Sequence, residues 1–407
     1  MSSLVVFHAD WLADPLLDHP IGGAAVLVAE GRVVGVGRVA DIGVPDGAQK
    51  VDLGHVSIVP GLIDAHAHLM LDGSADPLSR LRQDDDGLLL YRMADNARKA
   101  LAGGVTALRD CGCRPGLSFA FRQAIAEGLI PGPEAIVCDR VLTTTGGHLY
   151  FVGCEADTPE QLRVAVRRLA KAGVDFIKIM GSGGRITPGR ANLRRVPQFG
   201  LEELRVVVEE SHRLGLRVAI HAHPTSAIEL AVMAGVDSIE HCLWLDDVDG
   251  VRFIPEIADR IAEKGIFVVP TLGRSFHPPA SGNPPDPSLP SLEETLALFA
   301  RMRESGVRFV AGGDTGASHT PFGEFVWNLE LMEQFGMSPR EALATGTTLA
   351  AECVGRSDLG ALAPGRIASF LAVRGQPMSD IHVLWNVERV YQAGRLVWKR
   401  DRETQGI

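Results

Sequence analysis

Eight short apolar segments, each followed by a segment of helical length, fill the middle of this 407-residue chain. Short apolar runs bounded by turn residues are typical of buried parallel strands. Several helical segments end in glycine just before the next apolar run, as at Gly173 and Gly235, and glycine commonly follows the last helical turn. Eight strand–helix units predict an α/β fold, a parallel (β/α)8 TIM barrel. A doubly wound open sheet is the alternative.

The same pattern sets the boundaries of the predicted elements. Strands are predicted over 58–69, 105–108, 134–138, 174–179, 217–220, 236–239, 266–269 and 307–310. Helices are predicted over 88–102, 117–127, 158–172, 200–214, 225–234, 251–264, 291–305 and 323–335.

Short strand-like segments broken by turn residues occupy both ends of the chain. They are predicted over 4–7, 24–29, 32–36, 50–53, 367–373, 387–392 and 395–398. Because the two ends share this pattern, we expect them to meet in one small β-sandwich domain. That domain would comprise residues 1–58 and 360–407, beside a barrel of residues 59–359.

Composition and charge limit the class of protein. The net charge of -10 argues against nucleic acid, whose phosphates need a basic surface. No apolar stretch approaches the roughly 18 residues of a membrane span, and the first residues lack the pattern of a signal peptide. The six cysteines are scattered without a C-x-x-C pair, which favours reduced thiols. We expect a cytoplasmic homo-oligomer with a small-molecule substrate and neither nucleic-acid nor membrane partners.

Polar side chains stand at the ends of several predicted strands, where the active site of such a barrel lies. The first strand ends in His66 and His68, and a spacing of two residues puts both imidazoles on one face. Taken alone, that pair could also be two unrelated polar residues. The further candidates are Lys178 in the fourth strand, His221 and His223 in the fifth, Glu240 and His241 in the sixth, and Asp314 after the eighth. Histidine and carboxylate ligands suit zinc or a similar divalent ion.

Lys178 has two interpretations, because an ammonium group cannot bind a cation. A lysine amine in a desolvated strand can become neutral and add carbon dioxide to form a carbamate. That group would be an anionic ligand able to bridge two metals. Alternatively, the Lys178 side chain extends to place its charge at the barrel mouth. The sequence leaves both interpretations open.

The motifs of this chain resemble those of the amidohydrolase superfamily, and most of all its binuclear-metal dipeptidase and prolidase-like branch, which is related to the imidazolonepropionase-like hydrolases. The resemblance covers nearly the whole chain. The motifs that carry it are VPGLIDAHAH (59–68), TALRD (106–110), TGGH (145–148), DFIKI (175–179), HAH (221–223), GVDSIEH (235–241), GDTG (313–316) and LGALAPG (359–365).

The resemblance implies a centre of two divalent metal ions, with zinc as the expected metal. The implied ligands are His66 and His68 for the more buried ion, His221 and His241 for the second, a carbon dioxide-derived carbamate on Lys178 between them, and Asp314 at the first ion. Two ions about 3.5 to 4 Å apart can hold a bridging hydroxide and polarise the carbonyl that it attacks.

The same resemblance suggests roles for residues around the metals. Asp314 would pass the hydroxide proton to the leaving amine, and His223 or His148 would stabilise the oxyanion and contact the substrate. His223 stands where dipeptidase relatives often have tyrosine, which weakens any transfer of their specificity. Arg185 either pairs a substrate carboxylate or is a solvated loop arginine.

The predicted function is metal-dependent hydrolysis of an amide bond, in a dipeptide such as Xaa-Pro or in an N-acyl amino acid. Hydrolysis of a lactone, carbamate, cyclic amide or phosphotriester on the same centre is the alternative. A mononuclear deaminase would leave Lys178 without a role, and a non-catalytic scaffold would have no need of a complete ligand set. The proline-rich segment 273–290 is predicted to leave the seventh strand as a lid or as a plain mobile insertion.

Overall fold

The computed structural model describes residues 4–184, 187, 193–273 and 289–401. Arg185 lies outside these described residues, and so does nearly all of the lid expected over 273–290.

Strands and helices alternate along the described chain. The strands are β1 (Val5–Leu12), β2 (Ile21–Ala29), β3 (Arg32–Arg38), β4 (Gln49–Asp52), β5 (Ser57–Pro60), β6 (Leu62–Ala67), β7 (Val105–Asp110), β8 (Glu134–Val137), β9 (Leu142–Thr143), β10 (Cys154–Glu155), β11 (Phe176–Met180), β12 (Arg217–Pro224), β13 (Ser238–Leu245), β14 (Phe267–Val269), β15 (Arg308–Phe309), β16 (Phe370–Val373), β17 (Val387–Gln392) and β18 (Arg395–Lys399). The helices are α1 (Pro77–Gln83), α2 (Asp86–Ala102), α3 (Leu117–Ala126), α4 (Pro159–Ala172), α5 (Leu201–Arg213), α6 (Thr225–Ala234), α7 (Pro255–Glu263), α8 (Leu292–Glu304), α9 (Val326–Gln334), α10 (Pro339–Thr345) and α11 (Thr348–Cys353).

Several helices begin or end at residues that cap the free backbone groups of the helix. Helix α4 starts at a capping box in which the Thr158 and Gln161 side chains satisfy backbone N–H groups, and it ends at Gly173 with a φ of 91°. Helix α8 starts at a second capping box, formed by Ser291 and Glu294. These signals lie within a few residues of the ends that they define. All eight helices predicted between the strands are present.

The predicted first strand, 58–69, is two strands in different sheets, so the prediction of a single strand was wrong. Strand β5 pairs with β16, whereas β6 pairs with β7. Gly61 lies between them and donates its N–H to the Ser369 carbonyl. A Cβ at Gly61 would lie 2.1 Å from Oγ1 of Thr106, so a residue without a side chain is needed at this crossing. An apolar run does not reveal which sheet each of its parts joins.

Strands from both ends of the chain form one mixed sheet in the order β18-β17-β16-β5-β1-β2-β3, with β4 also paired to β1. A small aromatic core packs on it, where the rings of Phe7 and Phe370 lie 5.0 Å apart and that of Tyr391 stacks on Phe370 at 4.6 Å. Strands from the two chain ends therefore share one sheet. The β-sandwich arrangement itself stays a prediction.

The parallel strands that lie between the two chain ends in the sequence form two sheets, ordered β10-β9-β11-β12-β13-β14-β15 and β6-β7-β8. Backbone hydrogen bonds join these sheets on both sides. Thr315 donates to the His66 carbonyl at 3.2 Å beside β6, and Asp175 donates to the Val137 carbonyl at 2.8 Å beside β8. The carboxyl ends of the ligand-bearing strands consequently converge on one region.

Within the residues that the structure covers, no helix has the length and apolar character needed to cross a membrane.

Candidate active site

The carboxyl ends of β6, β11, β12 and β13 open into one cavity of about 140 Å³. Apart from Glu240, the predicted site residues within the described chain line this cavity, and they are His66, His68, His148, Lys178, His221, His223, His241 and Asp314. Six different segments of the chain therefore deliver side chains to one place. We expected these residues to stand at the ends of barrel strands, and that expectation required their side chains to converge.

Three of these residues form what we term the first ligand group: His66, His68 and Asp314. One ligand atom from each lies within 4.8 Å of the others. Oδ1 of Asp314 is 3.1 Å from Nε2 of His68 and 3.6 Å from Nε2 of His66. Asp314 has a left-handed backbone, with a φ of 50°, which non-glycine residues rarely adopt outside special sites. A mixed set of imidazoles and a carboxylate suits a divalent ion.

The second ligand group consists of His221, His223 and His241, whose ring nitrogens also lie within 4.8 Å of one another. The ring of His221 is 4.4 Å from that of His223 and 4.5 Å from that of His241. The pairing of β12 with β13 shifts register beyond His241, and the backbone at His241 is left-handed with a φ of 68°. This irregularity lets a strand residue reach the cavity.

Hydrogen bonds select which ring nitrogen can bind a metal in two of the second-group histidines, His221 and His241. Nε2 of His221 lies 3.1 Å from the Gly183 carbonyl, which can only accept, so His221 donates through Nε2 and presents Nδ1. Nδ1 of His241 lies 2.7 Å from Oγ1 of Thr271, which leaves Nε2 toward the cavity. Such outer contacts are how metal-binding histidines are usually oriented.

Lys178 is fully buried in the middle of β11. Its Nζ atom has no hydrogen-bond partner among the described residues, and a buried ammonium without partners is costly. Burial first, and then the charge of Lys178, lower the pKa of His66 to about 4. Lys178 also contributes to lowered pKa values at His221 and His241, where burial is again the main cause. The histidines are thus neutral at pH 7, which is the form that binds metals.

These observations fit a metal centre of divalent ions. Two sets of imidazoles, one carboxylate and a buried amine without a hydrogen-bond partner among the described residues line the same cavity. This donor chemistry is that of zinc and related ions.

His148 stacks on the second ligand group at its outer side. Its ring lies 4.6 Å from that of His221, and its Nδ1 lies 2.9 Å from Oγ1 of Thr187. Burial lowers the pKa of His148 to about 3. A neutral His148 can therefore present a ring nitrogen to a bound molecule.

The sequence analysis named Glu240 as a candidate at a strand end but missed its partner Arg109, with which Glu240 forms a buried pair of charges behind the first ligand group. Arg109 in β7 is 2% exposed and Glu240 in β13 is 0% exposed, and Nη2 of Arg109 lies 2.7 Å from Oε1 of Glu240. Burial would raise the pKa of Glu240, but the charges of Arg109 and Lys178 outweigh that effect and lower it. The available signal was a charged residue inside each of two apolar strands.

Arg194 was also missed, and it lines the cavity. It is 9% exposed, and its charge adds to the effect of burial in lowering the pKa of His148. The rest of the cavity wall is largely apolar, formed by residues that include Leu71, Leu78, Leu149, Met180, Leu243 and Leu272. Nothing in the local sequence distinguishes Arg194 from a solvated loop arginine.

Comparison with known proteins identifies the family. Residues 57–397 match the description "Amidohydrolase family". The chain belongs to the amidohydrolase family. This confirms the resemblance carried by the sequence motifs and makes the protein a hydrolase by family.

Several relatives of this amidohydrolase have known names. Ochratoxinase from Aspergillus niger is 28% identical over 422 residues, which cover 93% of this chain and 83% of the relative. Imidazolonepropionase from Mycolicibacterium smegmatis is 25% identical, with 96% of each chain covered. Among solved structures, a prolidase complexed with N-methylphosphonate-L-proline has a TM-score of 0.84 and 27% identity, and the match covers 98% of this chain and 100% of that one.

Proposed function

We propose that this amidohydrolase is a binuclear metal-dependent enzyme that hydrolyses an amide bond, in a dipeptide such as Xaa-Pro or in an N-acyl amino acid. One observation carries the proposal: both ligand groups and the buried residue Lys178 line a single cavity. The names of the ochratoxinase and prolidase relatives support amide hydrolysis as the reaction.

The proposed metals are two zinc ions. When bound, they would activate water as the nucleophile and polarise the scissile carbonyl. The proposed ligands are His66, His68 and Asp314 for the first ion, His221 and His241 for the second, and a carbamate on Lys178 between them. The carbamate hypothesis rests on the Lys178 amine, which has no hydrogen-bond partner among the described residues, because a carbamate would replace a buried positive charge by one negative charge shared between two oxygens.

Residues of the chain would then handle protons and orient the substrate. Asp314 would hold a proton on its carboxylate and deliver it to the leaving amine. His148 would donate a hydrogen bond from Nε2 to the carbonyl oxygen as negative charge develops there, while its Nδ1 is held by Thr187. His223 is a second candidate donor, in the place where dipeptidase relatives often have tyrosine.

The cavity wall points to the kind of substrate. Its apolar lining suits a bulky apolar side chain or acyl group, since burying such a group is favourable. Arg194 would pair the substrate carboxylate, as arginine does in many carboxylate sites. Arg185 remains a further candidate for this contact, and its role stays a prediction.

We also propose that the two parallel sheets close into one (β/α)8 barrel of residues 59–359, on the support of the backbone hydrogen bonds that join β6 and β8 to the larger sheet. Residues 1–58 and 360–407 would form a separate β-sandwich domain. The homo-oligomeric state and the cytoplasmic location stay predictions.

Metal analysis and a substrate panel together test the proposed function. Purified protein refilled with zinc should hold two ions per chain and should hydrolyse Xaa-Pro dipeptides or N-acyl amino acids. A panel of lactones, carbamates, cyclic amides and phosphotriesters serves as the comparison. Turnover confined to that panel would support the alternative, and a single ion with deaminase activity would contradict the binuclear mechanism.

A further inference from the structure

A buried ion pair crosses the space behind the first ligand group. The Arg109 guanidinium on β7 and the Glu240 carboxylate on β13 meet at 2.7 Å, and neither residue lines the cavity. They do not reach a substrate. Burying two charges costs free energy that a pair of apolar residues would avoid. Folding stability alone therefore does not explain why this pair is present.

The Arg109 side chain joins two strands that supply metal ligands. Its Nε donates to the Ala65 carbonyl at 2.6 Å, one residue before His66. Its Nη1 donates to Oγ of Ser238 at 3.1 Å, in the strand that goes on to His241. One planar guanidinium therefore fixes the separation between a strand of the first ligand group and a strand of the second.

Glu240 carries this support to the metal ligand itself. While Oε1 binds Arg109 and accepts from the Ser238 hydroxyl at 2.6 Å, Oε2 lies 2.6 Å from Nδ1 of His66. An ionised carboxylate only accepts hydrogen bonds. His66 must therefore hold its proton on Nδ1, and this leaves the Nε2 lone pair directed toward Asp314 and the cavity.

We propose that Arg109 and Glu240 are positioning residues that fix the tautomer and orientation of His66 and the spacing between the two ligand groups. This inference rests on the metal-dependent function proposed above. It assigns the pair no contact with substrate and no part in proton transfer.

A competing interpretation would make Glu240 a ligand itself, since Glu240, His66 and Cys111 also lie within 4.8 Å of one another. Both Glu240 oxygens, however, already hold hydrogen bonds. The geometry thus favours a supporting role for Glu240.

The test compares two variants in which a buried, arginine-paired glutamate becomes glutamine. Glu240→Gln removes the charge behind His66. Glu210→Gln is the matched control, because Glu210 is 2% exposed, pairs with Arg167 at 2.7 Å and lies on the outer helix α5. Both variants should lose thermal stability as metal-free proteins. Only Glu240→Gln should change how the metals are held.

Metal release to a chelator and the visible spectrum of the cobalt-substituted protein are the readouts. Glu240→Gln should lose the first-group metal about 10- to 100-fold more readily than wild type, which is the usual cost of removing such a support, and its cobalt bands should shift. Wild-type release and an unchanged spectrum in a folded Glu240→Gln protein would overturn the inference. So would wild-type protein that binds no cobalt.

Ser238→Ala decides the matter if Glu240→Gln fails to fold. It removes one hydroxyl that holds both Arg109 and Glu240, and we expect a smaller change in the same direction in metal release. An unchanged release rate would then overturn the inference. These readouts need no turnover, so a fully metallated protein that hydrolyses nothing would refute the proposed function without affecting this result.

Discussion

The two ligand groups are supported in different ways. In the first, a carboxylate ligand, Asp314, stands beside His66, and His66 is anchored by the charged Glu240. In the second, the ligands are imidazoles alone, held by the neutral hydroxyl of Thr271 and by a backbone carbonyl. Hydrogen bonds to ionised groups are roughly twice as strong as those between neutral groups. The first group should therefore hold its metal more firmly.

The second ligand group contains three histidines and no carboxylate, so negative charge at its metal must come from another residue. Among its described neighbours at the base of the cavity, Lys178 is the residue that could supply it to both groups, once converted to a carbamate. The first site would thus draw negative charge from Asp314 as well as from the carbamate, whereas the second site would depend on the carbamate.

The largest expected effect is that of Lys178→Ala, which tests the ligand that we propose to be common to both groups. The variant should lose its activity and at least one metal ion, because the bridging oxygens are gone. Metal content by elemental analysis and turnover are the measurements. Refilling the metal-free wild type with zinc should restore activity slowly without bicarbonate and faster with it.

If the Lys178 side chain only packs in the protein interior, the same variant should give a different result. Lys178→Ala would then keep both metals and its turnover, and the contrast between the ligand groups would lose its explanation. A small carboxylic acid added to the variant should partly restore activity if the carbamate interpretation is right.

Asp314→Asn should have the next largest effect and would separate metal binding from proton transfer in the first ligand group. The amide retains an oxygen for the metal but cannot carry the proton, so turnover should fall on the order of 10² to 10⁴. Most of the bound metal should remain. Near-normal turnover in the metallated variant would exclude Asp314 as the proton carrier.

The variant Arg194→Met tests whether the substrate carboxylate binds on the side of the cavity where Arg194 lies. Arg194 lies near His148, which stacks on the second ligand group. Losing one charge-assisted contact should raise KM about 10- to 100-fold for substrates with a free carboxylate. Substrates with that carboxylate amidated are the control and should be unaffected. Equal losses on both kinds of substrate would place the carboxylate elsewhere.

The smallest expected effect is that of Thr271→Val, which removes the neutral support of His241. Metal release from the second ligand group should speed up by less than about tenfold, while Thr271→Ser, which keeps the hydroxyl, should behave as wild type. Chelator competition measures both rates. A loss larger than that of Glu240→Gln at the first group would reverse the order that we infer from the supporting charges.

Much of the fold could be predicted because its signals are local. Apolar runs, capping residues and C-terminal glycines gave the positions of the strands and helices, and the strand ends then indicated His66, His221 and His241 as neighbours. The division at Gly61 could not be predicted in this way. It depends on a strand that lies far along the chain, and sequence periodicity carries no information about such pairing.

The supporting residues were harder to predict than the ligands themselves. A charged residue in an apolar strand, such as Arg109 or Glu240, indicates that a partner must exist, because an isolated buried charge is too costly. It does not identify the partner. Arg194 gave no such signal, since the local sequence around it is that of an ordinary polar loop.

The pairing of β5 with β16 also limits the order in which the strands can pair while the chain is being synthesised. Ser57 donates a hydrogen bond to Gly375 across 318 residues of chain, and Leu362 donates one to Asp14 across 348. During synthesis, β5 therefore has an open edge until almost everything else has been made. An open edge invites pairing with another chain. The last strands to be made cover this open edge, directly beside β6, the strand that carries His66.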